Sequence, residues 1–338
     1  MKIISFNVAT THFMHFNKKQ TYPLGEKVED KKKRSKVLKY TILNNLRKEE
    51  PDVLCLQEAF KEVLPPKYGN LPLQNIYEIK HGAIGGYNSS FLATYINTDK
   101  YYVSENTHFN DEYQRINFNR KTGDKHPCRT QIFELVEKKT HLRTILINIH
   151  GMGIPDFGIR EKFFLFLANY VYGIYPFDGV IIVGDINTNL QKASGDQDEI
   201  DFSAYVRDNL LYNFDIFPEN ESKKSSYHRY IKNEDGTFTS KEESDRYDCL
   251  DFCLTSKNME KKVSVKRVPK NLVGMEVPYK MNTEAKIILP NFDEFPSDHT
   301  LNVYTIINKR IGTRTKRRVS SPGFKSKKRK MSKKGKSV

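Results

Sequence analysis

Val180-Ile181-Ile182-Val183-Gly184-Asp185-Ile186-Asn187 is the stretch that decides the fold. Four apolar β-formers in a row, too few for a helix, read as a strand buried on both faces. Gly184 lets the chain turn closely where the strand stops. Residues i and i+2 of an extended segment point to the same side, so Asp185 and Asn187 would project together from the strand end. A carboxylate there can orient or deprotonate water, and a carboxamide can hold a phosphoryl oxygen. Taken alone, Gly-Asp-x-Asn favours an ordinary Asx-rich turn.

The same grammar recurs along the chain. Lys2–Val8 reads as a first strand that carries Ser5-Phe6-Asn7, and Val53-Leu54-Cys55-Leu56 is a second doubly buried run that leads into Gln57-Glu58. Thr130–Val136 and Arg143–Ile149 alternate as strands, the latter ending at His150, and Leu250–Leu254 and Leu301–Ile307 read as late strands. Helices are expected where Val37, Leu38, Ile42, Leu43 and Leu46 fall at helical spacing, and over residues 159–173. Phe163, Phe164, Phe166, Leu167 and Tyr170 on the second helix read as core. Residues 17–36, 106–127 and 217–247 are polar and read as loops, with a turn at Asn233-Glu234-Asp235-Gly236. Gly82–Asn97 reads as a hairpin. Strands alternating with helices imply an α/β class with mixed sheets.

Composition divides the chain in two. Net charge is +15, but residues 309–338 hold fourteen Lys or Arg and no acidic residue, leaving 42 basic against 41 acidic residues in 1–308. The body is nearly neutral, and the whole chain's 38% hydrophobic content suits a globular core within it. The tail lacks apolar periodicity and is expected to be disordered, because it cannot bury enough surface to offset its ordering entropy. Its Lys327-Lys328-Arg329-Lys330 cluster fits contact with nucleic acid or another polyanion, and also nuclear import. A basic tail would attract an anionic membrane too. No apolar run approaches the roughly 18 residues of a membrane span, and the N-terminus has no signal-peptide pattern. An intracellular protein, nuclear or cytoplasmic, is expected. Cys55, Cys128, Cys249 and Cys253 form no Cys-x-x-Cys pair and read as reduced, mostly buried thiols rather than a zinc site.

Several strand ends carry residues with further chemical uses. Glu58 suits a hard cation such as Mg²⁺, which prefers one or two carboxylates plus waters and substrate oxygens, and Asn7 can take a second position near it. His150 and His299 are imidazoles at strand ends. Asp298 adjoins His299, and Asp251 belongs to the same order of motifs; a carboxylate bonded to imidazole fixes its tautomer and raises its basicity. Arg129, just before a strand, can clamp phosphate.

In this order, Ser5-Phe6-Asn7, Leu56-Gln57-Glu58, Ile149-His150, Gly184-Asp185-Ile186-Asn187, Leu250-Asp251-Phe252 and Ser297-Asp298-His299 resemble the endonuclease/exonuclease/phosphatase superfamily over residues 1–308. The resemblance implies a four-layer α/β/β/α sandwich of two mixed β-sheets flanked by helices, with the site at one edge of both sheets. It implies a Mg²⁺-dependent phosphoesterase, with Mn²⁺ able to substitute, most specifically a monomeric nuclease acting on DNA or RNA. A lipid or inositol phosphate phosphodiesterase or phosphatase, sphingomyelinase-like, is the alternative. By the same resemblance Glu58 is the principal metal ligand, with Asn7 and Asp298 near the metal. Asp185 orients the attacking water, and Asn187 and Arg129 bind the phosphate. His299, oriented by Asp251, contacts the phosphate or acts as base, and His150 stands opposite as acid or phosphate ligand.

The chain also departs from particular branches. It has no tryptophan, whereas abasic-site endonucleases usually carry one near their late Leu-Asp-Tyr motif. The Trp-Cys-Asp-Arg signature of inositol polyphosphate 5-phosphatases is absent, and the region reads Asp248-Cys249-Leu250-Asp251-Phe252.

Overall fold

The doubly apolar runs fold as strands because each has a layer of structure on both sides. In the computed structural model, strand β1 (Lys2–Asn7) sends Ile4 and Phe6 to one face and Ile3 to the other. Strand β2 (Val53–Ala59) divides Leu54 and Leu56 from Val53 and Cys55 in the same way. Strand β9 (Gly179–Asp185) gives Val180 and Ile182 to one cluster and Ile181 and Val183 to another. The structure describes residues 1–8, 28–81, 88–117, 129–151, 157–173, 177–191, 197–219, 226–227, 231–232, 238–239, 247–268, 274–279, 282–290, 296–297 and 299–308. The basic stretch 309–338, Cys128 and the turn expected at 233–236 lie outside them.

Three apolar clusters mark three interfaces between four layers. One joins helix α1 (Val28–Glu49) to a seven-stranded sheet through Leu38, Ile42 and Leu46. A second lies between that sheet and a six-stranded one, where Ile3, Cys55, Phe133, Leu146, Val183 and Tyr304 meet. The third packs the outer face of the six-stranded sheet against α2 (His108–Asn117), α3 (Phe157–Gly173) and α4 (Gln197–Tyr205). This is the expected α/β/β/α sandwich, and its layers all fall within Met1–Asn308, which forms one unit by itself. Among the described residues, no helix is long and apolar enough to cross a membrane.

Topology decides where chemistry can gather. The seven-stranded sheet includes the parallel pair β1 and β2, bridged by α1, and the six-stranded sheet includes the parallel pair β8 (Arg143–His150) and β9, bridged by α3. Parallel strands share one direction, so each pair delivers its two C-terminal ends to a single sheet edge. Strands β15 (Asp251–Ser256) and β19 (Leu301–Asn308) run antiparallel to β9 and β1, so their beginnings lie at that edge instead.

Two expected loops proved partly helical. Residues 28–36 belong to α1, because Lys31–Arg34 is a run of good helix formers, and Arg34 and Ser35 are buried. Within 106–127, α2 spans His108–Asn117 and seats Phe109 and Tyr113, four residues apart, against α3 aromatics. The hairpin expected at Gly82–Asn97 has its first arm earlier, in β4 (Leu71–His81), paired with β5 (Asn88–Ile96). The α3 aromatics are core, as expected. Cys55, Cys249 and Cys253 are free and buried; burial pushes the Cys55 and Cys253 thiols up, Cys253 to about 12, which leaves them unreactive.

Candidate active site

The strand ends meet where the topology directs them. Asp185 closes β9, with His150 beside it at the end of β8 and Asp251 opposite it at the start of β15. Gly184 makes the approach possible. It adopts φ +142°, and a Cβ there would stand 2.0 Å from the Ile149 carbonyl oxygen.

Glu58 reaches the site by breaking its own ladder. Pairing of β2 with β5 is regular up to Leu56 and resumes at Ala59, so Gln57 and Glu58 lie in a bulge, and Glu58 takes φ +48°. A non-glycine residue seldom adopts this conformation, and bulges re-aim side chains. Here the bulge leaves the carboxylate 5% exposed beside His150 and Asn7.

Asp185 Oδ2 is the hub. Asn7 Nδ2 donates to it at 2.9 Å and Asn187 Nδ2 at 3.3 Å. The Nε2 atoms of His150 and His299 each lie 3.8 Å away. His150 Nε2 is also 3.3 Å from Glu58 Oε1, and Asn7 Nδ2 is 3.4 Å from that oxygen. Asp251 Oδ2 lies 2.9 Å from His299 Nδ1, the arrangement the resemblance implied. Ser297 fixes the approach of that histidine: its hydroxyl donates to the Asn7 carbonyl at 2.7 Å and accepts the His299 amide at 3.1 Å.

Asp185 and Asn187 do come together, but not as an extended i, i+2 pair. The strand ends at Asp185, and Asn187 folds back with φ +53°, its amide donating to Asp185 Oδ1 at 2.8 Å. The turn that competed with the catalytic reading is what builds the juxtaposition. Asn187 Nδ2 also donates to the Gly151 carbonyl at 2.9 Å, and Arg129 Nη1 reaches the same oxygen at 3.4 Å. Arg129 is held at the site by its strand, its carbonyl accepting the His150 amide at 2.8 Å. Asp298 lies outside the described residues.

Electrostatics follow from burial. The Asp185 carboxyl is pushed above its usual range chiefly by desolvation, with His299 and His150 opposing the rise and Asp251 adding to it. Burial lowers Arg129, while Glu58 and Asp185 pull it back up. Among the described residues, Arg129 Nε and His150 Nδ1 are buried without a hydrogen-bond partner. One metal-capable group of three stands out: ligand atoms of Glu58, His150 and Asp185 all lie within 4.8 Å of one another. The sequence grouped Glu58 with Asn7 and Asp298; the structure brings Glu58 and Asn7 together and adds Asp185 and His150.

No family model matches the sequence, and no curated protein matches it. Solved structures do. An endonuclease/exonuclease/phosphatase from Bacteroides vulgatus is 13% identical and superimposes with a TM-score of 0.52, covering 91% of this chain and 98% of that one. The human Nocturnin catalytic domain with bound sulfate is 13% identical, covers 91% of this chain and 94% of its own, and gives a TM-score of 0.50. With two mixed sheets, flanking helices on both sides and the site at their common edge, this chain has the endonuclease/exonuclease/phosphatase superfamily fold.

Proposed function

We propose that the chain is a divalent-metal-dependent phosphoesterase and, within that class, a nuclease hydrolysing phosphodiester bonds of DNA or RNA by attack of water. The observation that carries the reading is the convergence on Asp185 Oδ2 of Asn7, Asn187, His150 and His299 from both sheets.

The donor set fits a hard cation. Glu58, Asp185 and Asp251 are buried carboxylates, and Arg129 is the permanently charged cation among the site residues named above. Desolvation already drives Asp185 toward its neutral form, so the site is short of positive charge. Carboxylate oxygens from Glu58 and Asp185, with Asn7 alongside, suit Mg²⁺ or Mn²⁺, and Asp298 is expected near them. Bound there, the ion would stabilise charge developing on phosphoryl oxygens and acidify a water.

The remaining roles belong to the chain itself. Asp185 orients the attacking water and accepts its proton. Asn187 and Arg129 hold phosphoryl oxygens, and the buried Nε of Arg129, without a hydrogen-bond partner, is a donor available to such an anion. His299, tied through Nδ1 to Asp251, presents Nε2 to the phosphate, and His150 stands across from it as acid or phosphate ligand. The tail at 309–338, with fourteen basic residues, supports a polyanionic substrate.

A substrate panel with Mg²⁺ or Mn²⁺ tests this: duplex, single-stranded and abasic DNA, structured RNA, poly(A), sphingomyelin and inositol phosphates. Cleavage of a nucleic acid is the expected result. Hydrolysis of sphingomyelin or an inositol phosphate alone would replace the nuclease with a lipid or inositol phosphate enzyme. Inertness toward every ester would overturn the class.

A further inference from the structure

Helix α3 buries a stripe made of Arg160, Phe163, Phe164, Leu167, Ala168 and Val171. These positions recur at helical spacing, and Arg160 is the charged member, 3% exposed. A guanidinium placed there must be compensated. Glu199 of α4 accepts from both of its terminal nitrogens, and the rings of Phe202 and Phe157 lie 4.5 and 5.3 Å from the guanidinium carbon.

The ion pair does not exhaust the fork. Nη2 also donates to Thr188 Oγ1 at 2.9 Å and to the Asn187 carbonyl at 3.2 Å. Asn187 takes φ +53°, the left-handed region that Asn tolerates better than most non-glycine residues. On the site side, Asp185 Oδ1 accepts the Asn187 amide. From the opposite side, Arg160 grips the same turn through a backbone carbonyl and the next side chain. A purely structural ion pair would end at Glu199.

We infer that Arg160 is a positioning residue, a clamp anchored by Glu199 that sets where the Asn187 carboxamide sits. The inference rests on the phosphoesterase reading, in which Asn187 holds a phosphoryl oxygen.

The test compares wild type with Arg160→Lys, Thr188→Val, Glu199→Gln, Asn187→Ala and the Arg160→Lys/Asn187→Ala double variant. Two quantities are read: hydrolysis of bis(p-nitrophenyl) phosphate or the best substrate of the panel, and deuterium exchange of peptides spanning residues 185–190. Lysine keeps the charge but not the fork. Arg160→Lys should lower kcat about 10- to 100-fold with little change in KM, as misplacement of a reacting group does. It should also speed exchange in the turn.

The double variant should be no slower than Asn187→Ala alone, because both changes remove one function. If Arg160→Lys fails to fold, Thr188→Val and Glu199→Gln, each weakening one anchor of the clamp, should give the same signs at smaller size. Wild-type kcat with unchanged exchange, or losses that multiply in the double variant, would overturn the clamp. Absence of any turnover in wild type would sink the phosphoesterase reading, while the exchange data would still decide whether Arg160 grips the turn.

Discussion

Asp251 and His299 form the tightest acid–imidazole contact at the site, with Oδ2 2.9 Å from Nδ1 and both residues buried. The carboxylate fixes which nitrogen bears the proton and turns Nε2 toward Asp185. Asp251→Asn should keep the fold and lower kcat by about 10²- to 10⁴-fold, the range seen when an orienting carboxylate is made neutral. Turnover near wild type, with an unchanged melting curve, would mean that His299 needs no orientation.

Metal dependence should be visible without any substrate. If Glu58 is a principal ligand, Mg²⁺ or Mn²⁺ should raise the melting temperature of wild type in a concentration-dependent way. Glu58→Gln should need far more ion for the same rise. Equal shifts in both proteins would move the ligand set elsewhere.

The raised Asp185 carboxyl gives a signed pH prediction for the metal-free protein. Its folded value lies above its unfolded one, so its contribution to stability is full below the unfolded value and is lost as pH rises through the folded value. Measured against Asp185→Asn from about pH 4 upward to neutrality, the range above the ordinary Asp value, wild type should lose relative stability as pH rises. A stability difference that stays flat over that range would contradict the assigned direction.

Between the sheets runs a neutral polar relay. Gln57 Nε2 donates to Asn148 Oδ1 at 2.7 Å, Asn148 Nδ2 to Thr94 Oγ1 at 3.1 Å, and Thr94 Oγ1 to Gln131 Oε1 at 2.8 Å. Asn148→Leu should remove the acceptor of Gln57 Nε2 and the donor to Thr94 Oγ1, leaving Gln57 its Ser5 partner and Thr94 its bond to Gln131, and destabilise the protein by on the order of 1–3 kcal/mol. Denaturant unfolding would measure it; a loss below about 0.5 kcal/mol, the scale of a surface change, would mean the relay is dispensable.

Removing residues 309–338 should flatten the salt dependence of nucleic-acid binding, by about 0.9 in log–log slope for each duplex phosphate that the tail neutralises. An unchanged slope and affinity would show that the tail does not touch the substrate.

How much of this was legible in the sequence depends on what kind of cause placed each residue. Val180–Val183 and Val53–Leu56 announced doubly buried strands because their patterning is a burial pattern, and burial is what they do. Asp185, Asp251 and His299 were found because they flank such strands. Glu58 was found for its carboxylate, but the bulge that aims it leaves no composition signal. Asn187 was placed near Asp185 for the wrong local reason, since extended geometry and an Asx turn predict the same neighbours. The polar appearance of residues 28–36 hid a helix, because Lys and Arg are both good helix formers and good loop residues. Arg160 could have been seen: it is the one charged position on the periodic apolar stripe of α3.

The two parallel pairs have a last consequence. Asn7 and Glu58 belong to one sheet, while His150, Asp185 and Asp251 belong to the other. Neither slab owns a working half, so reactivity is a property of how they meet. Heat, denaturant or a faulty residue among Ile3, Cys55, Phe133 and Tyr304 that lets the slabs slide should silence the proposed activity while each ladder is still intact. Activity is therefore a more sensitive gauge of how the slabs mate than any measure of strand content.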